Sequence, residues 1–337
     1  MEIVSAIVQM LGGLAMFLYG IEVMGDGLKN SSGDALKRVL EKVTGNLIMG
    51  VLTGTLVTAV IQSSTATIVL AVALIGAGVL TLKQAVAIVM GANIGTTVTA
   101  WITNLAFMEG GGNWLLWFFD TDTLAPIALF LGIVLIMFIK SKKAKTIGDI
   151  SMGFGILFIG LMNMTGAVKG FANSPAFMEI LASFSDTPVL GILAGLVLTV
   201  IVQSSSAMVG ILQALSVTGV MTFELVYPIV MGINLGTCVT TALVCSIGSS
   251  KDAKRTGIVH IVFNTIGTIL FMIVMYSIKA TIGFTFWDDA ITKADIANFH
   301  TLFNLVVTIF FIPFNGVLVK LAEMTIKAEE KDNDLDL

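Results

Sequence analysis

Long apolar runs, separated by short polar loops, make up most of this chain. Several of these runs contain about 20 residues, which is enough for a helix to cross a bilayer. The pattern predicts membrane segments, some of them interrupted by polar residues, in the following ranges: 3–24, 46–80, 84–106, 124–139, 150–165, 189–247, 256–282 and 296–319.

One polar stretch has a helical pattern of its own. In residues 31–44, apolar side chains recur at helical spacing opposite charged ones. This predicts an amphipathic helix that lies in the membrane interface, with its N-cap near Ser31, Ser32 or Asp34.

The most informative stretch occurs twice. Gln62-Ser63-Ser64-Thr65 is followed by Asn93-Ile94-Gly95-Thr96, and Gln203-Ser204-Ser205-Ser206 is followed by Asn234-Leu235-Gly236-Thr237. From Val51 to Thr103, 21 of 53 positions are identical at an offset of 141 residues. Each copy interrupts an apolar segment with amides and hydroxyls. Such a segment forms either two short crossings or a re-entrant hairpin with the polar cluster at its tip.

Composition agrees with a membrane protein. Of 337 residues, 56% are hydrophobic and 12% are charged, and the mean hydropathy is +0.97. Soluble domains carry about twice that share of charge. The N-terminal run is expected to be a retained transmembrane helix because no basic region precedes it. The net charge of −4 favours no nucleic-acid partner. A lipid bilayer is the expected surroundings.

Loop charges set the orientation of the segments. Lys and Arg number four in 25–45, four in 140–149 and three in 248–257, whereas 106–123 has none and 166–188 has one. By the positive-inside rule the first three loops are cytoplasmic and the last two external. The first copy therefore starts inside and ends outside, and the second does the reverse. The predicted fold is an all-α polytopic membrane protein with two inverted-topology repeats and broken or re-entrant helices.

These patterns divide the chain into five parts. They are a first inverted repeat at 1–123, a linking helix with a basic linker at 124–149, a second inverted repeat at 150–247, two C-terminal helices at 248–319 and a charged cytoplasmic tail at 320–337.

Polar clusters inside a bilayer are costly unless they pack helices together or line a hydrated site. Small-residue packing through Gly91 and Gly95 is one interpretation. Retention of both clusters after duplication favours the other, a ligand site between broken helices. Hydroxyl, amide and carbonyl oxygens suit sodium. Helix N-termini and hydroxyls suit an oxyanion, whose charge bound cations would offset. Glu22 is expected to be interfacial, so proton coupling is disfavoured.

A smaller motif, His-x-x-Phe-Asn, occurs at His260 to Asn264 and at His300 to Asn304. His and Asn at this spacing share one helix face. The motif indicates either interhelical hydrogen bonds that fasten the last two helices or support for the ligand site from behind. Neither a resident metal site nor an enzyme constellation is expected.

Together these motifs resemble the sodium/phosphate cotransporter family, in which two inverted repeats each carry a Gln-Ser-Ser-Ser-type motif. The resemblance covers nearly the whole chain and implies sodium-driven import of inorganic phosphate. The expected phosphate contacts are Ser63, Ser64, Thr65, Ser204, Ser205, Ser206, Asn93 and Asn234. The expected sodium contacts are Gln62, Gln203, Thr96, Thr97 and Thr237. Supporting roles are expected for His260, Asn264, His300 and Asn304. The residue types alone do not separate the phosphate set from the sodium set.

The resemblance also implies a location, the plasma (bacterial inner) membrane, and partners. Sodium is expected as the coupling ion, with no cofactor. Bacterial members of this branch often carry a PhoU-like domain, which this chain is expected to lack, so a separate cytosolic PhoU-like regulator is a candidate partner and a homodimer a candidate assembly. The alternatives are sodium-coupled transport of another oxyanion or small solute, and a membrane phosphate sensor or scaffold that does not transport.

Overall fold

The computed structural model describes residues 2–41, 46–105, 121–169, 175–246 and 250–327. These residues form helices joined by short loops. The α-helices are α1 (Glu2–Glu41), α2 (Leu47–Ile61), α3 (Ser64–Gly76), α4 (Leu82–Leu105), α5 (Thr121–Phe138), α6 (Lys142–Lys169), α7 (Pro175–Asp186), α8 (Pro188–Val202), α9 (Ser205–Ser216), α10 (Phe223–Ser246), α11 (Lys251–Thr281), α12 (Lys293–Phe311) and α13 (Asn315–Thr325).

Within these ranges, six helices are long and apolar enough to cross a membrane. They are α1, α4, α6, α10, α11 and α12. The fold is that of an all-α, multi-pass membrane protein, as the sequence predicts.

The first helix differs from the prediction. α1 is continuous from Glu2 to Glu41, so residues 31–41 extend the first membrane helix and do not start a helix of their own. Gly25 and Gly27 lie within this continuous helix, at close contacts with neighbouring helices. A Cβ on Gly25 would lie 2.9 Å from the carbonyl oxygen of Ile61, and one on Gly27 would lie 2.7 Å from Ile150. Residues 42–44 of the predicted interfacial helix lie outside the described residues.

α1 and α6 are equivalent helices of the two repeats, and they pack on each other through glycines. A Cβ on Gly13 would lie 2.8 Å from the carbonyl oxygen of Gly160, and one on Gly20 would lie 2.7 Å from that of Gly153. As the position on α1 advances from Gly13 to Gly20, the contacted position on α6 goes back from Gly160 to Gly153, so the two helices are antiparallel. At an offset of 140, Gly13 corresponds to Gly153 and Gly20 to Gly160. The two contacts therefore exchange under a two-fold rotation, which is the symmetry of inverted repeats.

The core of each repeat is one helix pair, α2 with α4 and α8 with α10. A Cβ on Gly91 would clash with the carbonyl of Val51, and one on Gly232 would clash with the carbonyl of Ile192. These positions correspond at the offset of 141. The small-residue packing interpretation is thus confirmed for the glycines of the repeated run, and it leaves the neighbouring polar side chains to be explained.

The last segment is also more divided than predicted. α12 ends at Phe311, a 3-10 turn spans Ile312–Phe314, and α13 follows. Pro313 lies in that turn, where its missing N–H and fixed φ disfavour a continued helix. Lys320 belongs to α13, whereas residues 328–337 of the predicted tail lie outside the described residues.

Candidate functional site

The two Gln-Ser-Ser motifs are helix breaks with the same geometry. Gln62 ends α2 at φ 59°, and Gln203 ends α8 at φ 60°. Elsewhere in the described chain, positive φ is confined to glycine. A left-handed conformation at a residue with a long side chain is strained, and such strain concentrates at functional sites. The duplication has retained the strained residue in both copies.

A new helix starts directly after each break. Ser63 caps α3 by accepting a hydrogen bond from Ala66 N at 3.1 Å, and Ser204 caps α9 by accepting one from Ala207 N at 3.2 Å. α2 has 15 residues and α3 has 13, so they are about 22 and 20 Å long. Neither length crosses a hydrocarbon core of about 30 Å alone. The Gln-Ser-Ser segments are therefore broken helices that carry their polar residues inside the fold.

Both breaks line one small cavity of about 60 Å³. Every lining side chain ends in an amide or a hydroxyl, and none is charged. The lining residues are Gln62, Ser63, Ser64, Thr65, Thr96, Thr199, Gln203, Ser204, Ser205, Ser206, Thr237 and Thr240. The structure thus brings together most of the residues predicted to bind phosphate and sodium, including both serine runs and both glutamines.

A hydrogen-bonded chain joins the two repeats beside this cavity. Thr99 Oγ1 donates to Gln62 Oε1 at 2.8 Å, and Ser206 Oγ donates to Thr99 Oγ1 at 3.3 Å. The Gln62 amide nitrogen donates to the carbonyl of Ala59, which fixes the orientation of the amide group. Gln62 of the first repeat is therefore positioned by its own helix and linked through α4 to Ser206 of the second.

Helix dipoles supply charge where side chains do not. α3 and α9 begin at the cavity wall, and helix N-termini carry a partial positive charge that favours anions. α2 and α8 end at the same wall, and helix C-termini carry a partial negative charge that favours cations. The wall of the cavity therefore presents helix ends of both signs and no charged side chain.

Three of the predicted ligands are absent from the cavity lining: Asn93, Asn234 and Thr97. Asn93 Oδ1 is 3.2 Å from His260 Nε2 and accepts from Asn264 Nδ2 at 3.3 Å. Thr97 Oγ1 donates to the carbonyl of Ile94 at 2.7 Å. The roles of Asn93, Asn234 and Thr97 as ligands stay predictions.

Asn264 and Asn304 each donate to the carbonyl of the histidine four residues earlier, at 3.1 and 2.8 Å. His300 Nε2 is 3.2 Å from Asn234 Oδ1, which matches the contact of His260 with Asn93. The four predicted supporting residues are thus buried and placed behind the helices that carry the cavity.

The sequence-based prediction left out Thr199 and Thr240, which line the cavity, and Thr99, which holds Gln62. A signal for them was present. Thr199 aligns with Thr58 and Thr240 with Thr99, and both pairs are identical between the repeats at the offset of 141. Polar identity between the repeats was thus a signal for Thr199 and Thr240, although their equivalents Thr58 and Thr99 do not line the cavity.

Comparison with known proteins decides the family. A family model described as Na+/Pi-cotransporter matches residues 16–166 and again residues 162–292. The chain belongs to this family. Each of the two successive matches contains one Gln-Ser-Ser motif, and together they confirm the resemblance seen in the motifs. Membership of the Na+/Pi-cotransporter family places the chain among phosphate transporters, which agrees with a role other than that of an enzyme. The family and the six candidate spans of the described chain together indicate a multi-pass protein of the plasma membrane.

Several curated proteins are similar to this Na+/Pi-cotransporter family member. YqeW of Bacillus subtilis, an uncharacterised protein, is 26% identical over 316 residues, which are 94% of this chain and 97% of YqeW. YjbB of Escherichia coli, named as a candidate inorganic phosphate export protein, is 25% identical over 331 residues. That match covers 98% of this chain but 58% of YjbB.

A mammalian family member matches a shorter region. The rat sodium-dependent phosphate transport protein 2A is 32% identical over 104 residues, which are 30% of this chain and 16% of the rat protein. No solved structure matches the chain.

Proposed function

We propose that this protein is a sodium-coupled symporter that imports inorganic phosphate across the plasma membrane by alternating access. The observation that carries the proposal is the single uncharged cavity lined by both Gln-Ser-Ser breaks. Inverted repeats with broken helices are the architecture of many secondary transporters, whose substrate lies between the two halves. The family to which the chain belongs and the name of the rat relative agree with sodium and phosphate as the transported species.

Phosphate fits the anion-attracting part of the cavity. The hydroxyls of Ser64, Thr65, Ser205 and Ser206 lie in the first turns of α3 and α9, where backbone N–H groups are also free to donate. One water needs roughly 10–15 Å³ of such space, so a cavity of about 60 Å³ suits small ions and not a bulky solute. Size and donors together favour phosphate over a larger solute.

Sodium is proposed as the coupling ion because the cavity lining holds no cationic side chain. A divalent anion in a site of low dielectric needs opposite charge nearby. Amide oxygens of Gln62 and Gln203 and hydroxyls of Thr96 and Thr237 are hard ligands of the kind that sodium prefers. The sodium ions would complete the phosphate site, so neither ion would bind well without the other.

The two halves of the cavity differ in exposure, which supports alternating access. Gln62 is buried, with 8% of its surface exposed, whereas its equivalent Gln203 is exposed. The two equivalent glutamines are therefore in different states in this conformation, whereas Ser64 and its equivalent Ser205 are similarly buried. Exchange of these states by movement of one repeat against the other would close the cavity on one side and open it on the other.

The test is phosphate uptake by the purified protein in liposomes. An inward sodium gradient should drive uptake of labelled phosphate above its equilibrium level. Replacement of sodium by choline, with a pH gradient as the only driving force, should abolish that accumulation. Accumulation that persists in choline would rule out sodium coupling.

Export is the second candidate because YjbB carries an export name. An inward sodium gradient opposes export by a sodium symporter, so an exporter needs another driving force. Liposomes preloaded with phosphate distinguish the two. Net efflux against an inward sodium gradient would favour export, and sodium-driven accumulation would favour import. Competition by sulfate and arsenate tests the alternative of another oxyanion, and absence of any flux together with binding of a cytosolic partner would favour a sensor.

A further inference from the structure

Thr199 and Thr58 are equivalent residues of the two repeats, and their hydroxyls have different environments. Thr58 Oγ1 donates to Thr67 Oγ1 at 2.9 Å, and Thr58 is fully buried away from the cavity lining. Thr199 lines the cavity and is 1% exposed, and its Oγ1 is buried without a hydrogen-bond partner among the described residues. A buried hydroxyl without a partner costs free energy, so this position calls for a ligand.

One substitution between the repeats explains the difference. At the offset of 141, Thr67 corresponds to Met208. Met208 is buried like Thr67, but it has no hydroxyl to accept from Thr199. The second repeat therefore keeps the threonine, Thr199, but lacks the neighbouring hydroxyl that would accept its hydrogen bond.

The threonine is held rigidly at this position. A Cβ on Gly236 would lie 2.6 Å from Thr199 Cβ and 3.0 Å from its Cγ2, so α10 packs directly on this side chain. The carbonyl of Thr199 accepts from Gln203 N at 2.8 Å, in the turn that ends α8. Close packing and the adjacent break fix the threonine beside Gln203, without rearrangement on binding.

We infer that Thr199 Oγ1 is a ligand of the coupling cation in the second repeat, and that Thr58 has no matching role in the first; this rests on the sodium-coupled function proposed above. Thr199 lies in the last turn of α8, where the carbonyl end of the helix dipole favours a cation. Its hydroxyl oxygen and the nearby amide of Gln203 are oxygen ligands suited to sodium. The two halves of the site thus differ in the number of oxygen ligands that they offer to sodium, although their sequences are similar.

The test is the sodium dependence of phosphate uptake in liposomes for Thr199→Val, which keeps the shape and removes the hydroxyl. The sodium concentration for half-maximal uptake should rise about tenfold, the size expected when one interaction with a charged group is lost. The phosphate KM at saturating sodium should change little. Thr199→Ser, which keeps the hydroxyl, should behave as the wild type.

Two further variants keep the inference falsifiable if Thr199→Val is poorly folded. Met208→Thr supplies the missing hydrogen-bond partner and leaves Thr199 intact. It should also raise the sodium concentration for half-maximal uptake. Thr58→Val, the matched control in the first repeat, should leave the sodium dependence unchanged. If the sodium concentration for half-maximal uptake were the same in Thr199→Val, Met208→Thr and the wild type, the inference would be overturned. A change confined to the phosphate KM would overturn it as well.

Sodium binding without transport separates this inference from the proposed function. At a fixed, saturating phosphate concentration, sodium chloride, compared with choline chloride, should raise the Tm of the purified wild-type protein, and Thr199→Val should need about tenfold more sodium for the same rise. Wild-type uptake and Tm that are both independent of sodium would overturn the proposed function. A sodium-dependent wild type with an unaltered Thr199→Val would overturn only the role of Thr199.

Discussion

His260 on α11 lies with its Nε2 3.2 Å from Oδ1 of Asn93 on α4. The same contact, at the same distance, joins His300 on α12 to Asn234 on α10. α11 follows the second repeat in the chain, yet its histidine contacts Asn93 of the first repeat, whereas the histidine of α12 contacts Asn234 of the second. The interhelical hydrogen bond, one of the two interpretations of the His-x-x-Phe-Asn motif, is thus present twice and related by the same two-fold symmetry as the repeats.

These contacts should be measurable as coupling energies. His260→Ala and Asn93→Ala should each lower stability, and the double variant should lose less than the sum because the shared bond is lost only once. The expected coupling is about 1 kcal/mol, as found for hydrogen bonds between membrane helices. Thermal or denaturant unfolding of the purified protein in detergent gives the four values of the cycle.

A second cycle provides the control. His300 and Asn93 belong to different motifs, and the structure joins them by no hydrogen bond among the described residues. Their variants should combine additively within about 0.5 kcal/mol. Equal coupling in both cycles would mean that the observed pairing does not carry the energy.

The sequence predicted the inverted architecture because its two signals are physically independent. Apolar length reports which segments cross, and the Lys and Arg content of loops reports on which side they start. It did not predict the continuity of α1, since the polar pattern of residues 31–44 is typical of a separate interfacial helix. The contacts that α1 makes there, of Gly25 with the Ile61 carbonyl and of Gly27 with Ile150, are tertiary and have no signal within α1 itself.

Ser64 and Ser205 offer the direct test of the paired site. Both lie in the cavity wall, in the first turn of α3 and α9. Ser64→Ala and Ser205→Ala should each reduce phosphate uptake at least tenfold, since each removes a hydroxyl from a site of low dielectric. Uptake is measured in liposomes with matched protein content.

Folding must be shown to survive in these serine variants. Their size-exclusion profile and Tm should stay close to those of the wild type. Ser246→Ala is the matched control because Ser246 is exposed and, among the described residues, its Oγ donates only to the Ala242 carbonyl of its own helix, at 2.6 Å. Wild-type uptake in both Ser64→Ala and Ser205→Ala would remove the paired site.

Prediction of the candidate site from sequence succeeded where duplication and chemistry agreed. Gln62, Ser64 and their equivalents are polar, repeated and placed at helix breaks, and they line the cavity. Asn93 is equally polar and repeated, but its recorded partner is His260, 167 residues away in sequence. Repetition marks a residue as needed in both halves, and it does not tell whether the partner is a ligand or another helix.

The left-handed glutamines combine a backbone role and a side-chain role that substitution can separate. Gln203→Gly removes the amide and relieves the strain at φ 60°, whereas Gln203→Ala removes the amide and keeps the strain. Gln203→Gly should therefore be more stable than Gln203→Ala by about 1 kcal/mol. Both should lose sodium-driven uptake if the amide is a ligand. Unfolding and uptake measured on the same preparations check the two roles, and retained uptake in both variants would exclude the amide.

The symmetric contact between α1 and α6 can be tested with two adjacent glycines. A Cβ on Gly13 would lie 2.8 Å from backbone atoms of Gly160 and Met164, whereas a Cβ on Gly12 would meet no atom within 4 Å. Gly13→Ala should destabilise the protein by about 1–3 kcal/mol through overpacking. Gly12→Ala should be neutral or stabilising by about 0.5–1 kcal/mol because alanine restricts the unfolded chain and favours a helix. Unfolding in detergent measures both values. If the two variants were equally stable, the helices would not meet at Gly13 and Gly160, and the two-fold relation between the repeats would lose its main support.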